Sequence, residues 1–135
     1  MGNIKVLIVD GHEKVRQELT AALGRKQGLE IVGAAATGQE ALRQVMSLRP
    51  DLVLLDVKMD DGNGVETCRR IAAMIPMARV VVLTSYFDET ERNKVLSAGA
   101  CAYLLKEIGA KQLIHALRAL GADRMAAGEG KDDGM

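Results

Sequence analysis

Residues 4–11 read IKVLIVDG, a short apolar run rich in β-branched side chains that stops at Asp10 and Gly11. A run of this length with so few polar interruptions is the pattern of a strand covered on both faces. Similar runs recur at 30–35 (EIVGAA), 52–55 (LVLL), 79–83 (RVVVL) and 102–105 (AYLL). The segments between them carry a helical period: Val15, Leu19 and Leu23 share one stripe, Leu42, Val45 and Leu48 a second, and Val65, Cys68 and Ile71 a third. Val95 with Ala98, and then Leu113, Leu117 and Leu120, complete the set. Pro50 and Pro76 each fall after a helical stretch and before a strand, where a helix has to stop. Five strands alternating with five helices predict an α/β fold: a doubly wound (βα)5 three-layer sandwich around a parallel sheet, with right-handed crossovers. The common strand order for such a sheet is 2-1-3-4-5.

Composition bounds the function. In 135 residues, 48 % are apolar and 27 % charged, which suits one globular domain rather than a disordered or membrane-spanning chain. Lys plus Arg and Asp plus Glu number 18 each, so the net charge is zero and no basic nucleic-acid footprint is expected. The two cysteines, Cys68 and Cys101, form no CxxC pair and are expected to be reduced packing residues. The apolar run after Met1 is too short for a signal peptide or a membrane span, so a cytoplasmic location is the default expectation. From Gly121 onward the apolar period is lost, and the chain ends GEGKDDGM. Residues 1–121 are therefore expected to form the domain, and 122–135 a disordered tail or the start of a linker.

Polar residues converge at the strand ends. The first strand ends in Asp10, the third in Asp56, the fourth in Thr84 and Ser85, and the fifth in Lys106. In an open parallel sheet ligands bind outside the carboxyl ends of the strands, at the switch in strand order. Two carboxylates brought together there invite a divalent cation, and Mg²⁺ prefers oxygen ligands. A carboxylate beside such an ion can attack phosphorus and form an acyl phosphate. A lysine and a hydroxyl then neutralise and hydrogen-bond the phosphoryl oxygens. A lone Asp at a strand end is more often a turn or cap residue; four complementary groups on four strand ends are not so easily explained.

These residues resemble the receiver domains of two-component response regulators, over about residues 4 to 121. VLIVDGHEKVR resembles the first strand and its acidic pair in the subfamily with a LuxR-type helix-turn-helix output. LVLLDVKMDDGNG resembles the phosphoacceptor strand and loop, VVVLTSYFDE the fourth strand with its switch hydroxyl, and AGACAYLLKE the fifth strand with its aromatic and lysine. The resemblance implies a flavodoxin-like fold and Asp56 as phosphoacceptor, with Lys106 as the phosphate-contacting cation. It further implies Thr84 and Tyr103 as the switch pair, and Mg²⁺ held by Asp10, Asp56 and the main-chain carbonyl of Lys58. The implied partner is a sensor histidine kinase, in a phosphorelay that regulates transcription. A homodimer through the face of the fourth helix, fifth strand and fifth helix follows by analogy. DNA would be contacted only through an output domain that this chain lacks, and no membrane contact or enzyme activity is expected.

Two departures stand out. Gly11 occupies the place of the second acidic residue, which in the family usually contacts Mg²⁺ directly, so the site is one carboxylate short. Glu13 is a poor substitute because it opens the first helix. Asp60 stands where a Pro is common, adding a charge to the loop after the third strand. His12 reads as an exposed, unpartnered helix-start residue, His115 as a surface residue, and Tyr86 and Phe87 as shaping the loop before the fourth helix. Tyr103 also has a plain reading as a core aromatic. A flavodoxin would need a hydroxyl-rich loop after the first strand, where this chain has Gly-His-Glu-Lys. An Asp-nucleophile phosphatase would need Asp-x-Asp, where this chain has Asp56-Val57-Lys58. The surviving alternative is a receiver that accepts phosphate poorly and acts as a protein-interaction module, with Gly11 as its support.

Overall fold

The computed structural model describes residues 3–24, 28–59 and 64–133, with side chains as far as Ala122. Its elements alternate: β1 (Ile4–Val9), α1 (Glu13–Leu23), β2 (Leu29–Ala35), α2 (Gly38–Leu48), β3 (Leu52–Leu55), α3 (Gly64–Met74), β4 (Arg79–Thr84), α4 (Glu89–Ser97), β5 (Ala102–Leu105) and α5 (Ala110–Asp133). The strands form one parallel sheet in the order β2-β1-β3-β4-β5. This is the doubly wound arrangement the alternation predicts, and strand ends read from sequence differ from those observed by a single residue at most.

The near-continuous apolar strands are explained by burial on both faces. Leu7, Val9, Val53, Leu55, Val80 and Val82 pack on one side with Ala41 and Val45 of α2, Cys68 and Ile71 of α3, and Val95 of α4. Alternate residues Val6, Leu52, Leu54, Val81 and Leu83 pack on the other side with Leu23 of α1 and Leu113, Ile114 and Leu117 of α5. Period-2 strands thus feed two cores, and each fully buried Leu or Ile contributes about 1.5–3 kcal/mol. Cys68 is buried, Cys101 half-buried, and neither is in a disulfide.

Main-chain hydrogen bonds carry the sheet one residue past its formal ends. The Asp10 amide donates to the Ala35 carbonyl at 3.0 Å, Asp56 to Val9 at 2.9 Å, and Lys106 to Thr84 at 2.6 Å. Three of the polar residues at the strand ends are therefore fixed by the ladder rather than by loop conformation. Beyond Gly121, where the apolar period is lost and the helix was expected to fray, the backbone of α5 remains helical to Asp133. Asp60, with the charge expected in the loop after β3, lies outside the described residues, as do the side chains beyond Ala122.

Candidate functional site at the carboxyl edge of the sheet

Asp10 and Asp56 are 2 % and 5 % exposed, a burial that carboxylates tolerate only when paired. Their partner is Lys106. Its Nζ lies 2.8 Å from Oδ2 of Asp10 and 2.9 Å from Oδ2 of Asp56, so one ammonium bridges two acids from separate strands. The second oxygen of each acid is also occupied. The Lys58 amide donates to Asp56 Oδ1 at 2.9 Å, and the His12 amide donates to Asp10 Oδ1 at 2.9 Å. The Arg16 guanidinium reaches back from α1 to the Asp10 main-chain carbonyl at 2.7 Å.

The electrostatics follow from this geometry. Burial pushes the Asp10 carboxyl up, but hydrogen bonds from Lys106 and His12 outweigh it and leave Asp10 below its ordinary value. Burial likewise pulls Lys106 down, and its bonds to Asp10 and Asp56 more than reverse that, leaving the ammonium above its ordinary value. The Lys106 ammonium and the Arg16 guanidinium together offset the two carboxylates, whose oxygens remain the ligand atoms that a cation would use.

Oxygens of Asp10 and Asp56 and a ring nitrogen of His12 all lie within 4.8 Å of one another, close enough to share one ion. Gly11, between Asp10 and His12, supplies no side chain. His12 departs from its sequence reading: it is exposed as expected, but its Nδ1 sits 3.1 Å from Asp10 Oδ1. As N-cap of α1 it makes no side-chain cap bond, because the ring is turned to the aspartate instead. Glu13 does not join the cluster and accepts from Gln17 Nε2 at 3.4 Å along the helix.

Thr84 and Tyr103 form a second, adjoining group. Thr84 is fully buried at the end of β4, and its hydroxyl is shared between Glu91 Oε1 at 3.3 Å and the Tyr86 carbonyl at 3.4 Å. Tyr103, half-buried in β5, donates to Glu91 Oε1 at 2.7 Å and packs edge-on against Phe87 with ring centroids 5.9 Å apart. Burial, reinforced by the Glu91 carboxylate, raises the Tyr103 phenol above its ordinary value. The Lys58 ammonium lies 4.2 Å from the centre of the Tyr86 ring and 4.0 Å from Glu91 Oε2. The sequence reading missed Glu91 and Arg16. For Glu91 a signal existed: Asp88-Glu89-Thr90-Glu91 has the acid-x-x-Glu spacing of a capping box at the start of α4.

The response regulator receiver domain profile matches residues 6–118 of this sequence. The chain belongs to that family. The receiver is 40 % identical over 121 residues to the DNA-binding transcriptional activator DevR/DosR of Mycobacterium tuberculosis, covering 90 % of this chain and 56 % of that protein. It is 41 % identical over 115 residues to the response regulator protein VraR of Staphylococcus aureus, covering 85 % of this chain and 55 % of VraR. The receiver thus spans about half the length of the curated relatives it matches. Among solved structures, a LuxR-family two-component response regulator from Aurantimonas superimposes with a TM-score of 0.84 at 28 % identity, covering 91 % of this chain and 88 % of that one. A CheY-like receiver from Methanospirillum hungatei gives 0.86 at 24 % identity, covering 93 % and 99 %, and shows the shared flavodoxin-like fold. The receiver family is one of two-component signalling and not a family of catalytic enzymes.

Proposed function

We propose that this receiver accepts a phosphoryl group on Asp56 from the phosphohistidine of a sensor histidine kinase. A carboxylate oxygen of Asp56 forms a bond to phosphorus, the phosphorus–nitrogen bond to the donor imidazole breaks, and the imidazole leaves with the electron pair and takes up a proton. The observation that carries this reading is the Lys106 ammonium shared between Asp10 and Asp56. It can follow the incoming phosphoryl oxygens while staying paired to Asp10, so no charge is left bare.

The donor set fits a divalent cation: two buried carboxylates with oxygens close enough to share an ion. Asp10, Asp56 and the Lys58 carbonyl would hold Mg²⁺, with His12 beside them. When bound, the ion neutralises charge on the phosphoryl oxygens. Thr84 then turns toward the phosphoryl group and Tyr103 moves behind it, remodelling the face of α4, β5 and α5. That face is the proposed surface for a homodimer. Residues 1–121 act as the receiver unit. The wider role is transcription regulation in the cytoplasm, with DNA contacted through an output domain; a relative named as a DNA-binding transcriptional activator supports the regulatory part of it. Among the described residues no helix is long and apolar enough to cross a membrane.

Gly11 favours one second reading, a receiver that binds partners without efficient phosphorylation. Incubation with acetyl phosphate and Mg²⁺, followed by intact mass measurement, separates the two. Addition of one phosphoryl mass to wild type and none to Asp56→Asn is the expected result. An unchanged wild-type mass beside a labelled control receiver favours the second reading, and labelling of Asp56→Asn overturns the acceptor assignment.

A further inference from the structure

Thr84 and Tyr103 share a partner that the phosphoryl chemistry does not require. Glu91, on the first turn of α4, accepts from the Tyr103 hydroxyl at 2.7 Å and from the Thr84 hydroxyl at 3.3 Å through the same oxygen, Oε1. Its other oxygen faces the Lys58 ammonium at 4.0 Å. In an ordinary capping box, a Glu in this position would return to the N-cap amide. Half of that motif is present: the Asp88 side chain accepts from the Glu91 amide at 3.0 Å. The other half is replaced, because the Asp88 amide donates to the Tyr103 hydroxyl at 3.2 Å. The phenol thus takes over the cap, and the Glu91 carboxylate is released to hold the switch pair.

We infer that Glu91 is a positioning residue that clamps Thr84 and Tyr103 in the unphosphorylated arrangement and so opposes phosphorylation of Asp56. The inference rests on the reading of Asp56 as phosphoacceptor. A hydroxyl has one proton, and that of Thr84 is directed at Glu91 or the Tyr86 carbonyl. It cannot donate to a phosphoryl oxygen until that bond is given up. Tyr103 is held more firmly, since its bond is shorter and its acceptor is charged. Loss of the clamp therefore shifts the balance toward the switched state by the value of those hydrogen bonds.

Glu91→Ala and Glu91→Gln test this together, because Gln keeps the Oε1 acceptor. Without acetyl phosphate, Glu91→Ala is expected to move the Tyr103 ring resonances and speed amide exchange at Asp88, with Glu91→Gln close to wild type. With Mg²⁺ present, Glu91→Ala should reach half-labelling at about threefold to tenfold lower acetyl phosphate. The same substitution in a Tyr103→Phe background should have a smaller effect, because only the Thr84 bond is left to lose. An unmoved Tyr103 ring in a folded Glu91→Ala protein overturns the clamp. Ring movement without a change in half-labelling reduces Glu91 to a helix cap and also overturns the inference, as does a Gln variant that behaves like Ala. If wild type takes no phosphoryl group, the Asp56 reading fails and the effect on phosphorylation falls with it, while ring and exchange signals still decide the clamp.

Discussion

At the scale of single residues, the Lys106 ammonium is what allows Asp10 and Asp56 to be buried side by side. Replacing it by Met leaves two facing carboxylates without their cation, and Lys106→Met is expected to cost about 1–3 kcal/mol of stability near neutral pH. The pH dependence has a definite sign. Asp10 sits below its ordinary 3.8, so its contribution is present above that value and is lost as pH falls through the folded-state value. Lys106 sits above its ordinary 10.5, so its contribution is present below that value and is lost as pH rises through the folded-state value. Urea unfolding of wild type and Lys106→Met should therefore show a gap that is widest between these limits and narrows at both ends. A gap independent of pH would contradict the ion-pair account. The acids and the lysine could be picked out in the sequence because each ends a strand, where topology alone brings them together. His12 and Glu91 could not be placed in the same way. Their positions depend on side-chain direction within the first turn of a helix, which strand and helix periods do not encode.

At the scale of elements, the chain just after β3 lies against the start of α3 with no room to spare. A Cβ on Gly64 would overlap the main chain of Val57, the residue after Asp56. Gly64→Ala forces these two backbones apart, with an expected loss of about 1–3 kcal/mol typical of overpacking. Acetyl phosphate labelling should fall further than the stability loss explains, because Asp56 and the Lys58 amide move with Val57. Labelling as fast as wild type in a destabilised Gly64→Ala protein would show that the displacement is taken up on the helix side. The element boundaries themselves were readable to within a residue at the strands, since apolar runs and Pro50 and Pro76 mark them chemically. The far end of α5 was less so. An apolar stripe reports where a helix packs, and a helix can continue after its stripe has ended, as α5 does past Gly121.

At the scale of the whole molecule, the sheet separates two cores, and Cys68 lies in the one shared by α2, α3 and α4. Burial pushes its thiol up to about 11, so it is unreactive while the fold is intact. Cys101 is only half-buried. Iodoacetamide at pH 8 is expected to modify Cys101 first, with Cys68 reacting at the rate of unfolding; equally fast modification of both in native buffer would contradict the burial of that core. The alternation of strands and helices made this architecture legible from the sequence, and the rule for parallel sheets made its ligand edge legible too. Which occupant that edge prefers is not a property of topology. The bridging lysine has one more consequence, for the order in which the molecule comes into being. Lys106 is 96 residues from Asp10 and 50 from Asp56, and β5, which delivers it, is the last strand of this sheet to be synthesised. On the ribosome the two acids emerge well before their counter-ion, so β1 and β3 can pair only against their mutual repulsion until the final strand docks. On the reading of Asp56 as phosphoacceptor, competence to receive a signal would arrive only once β5 has docked.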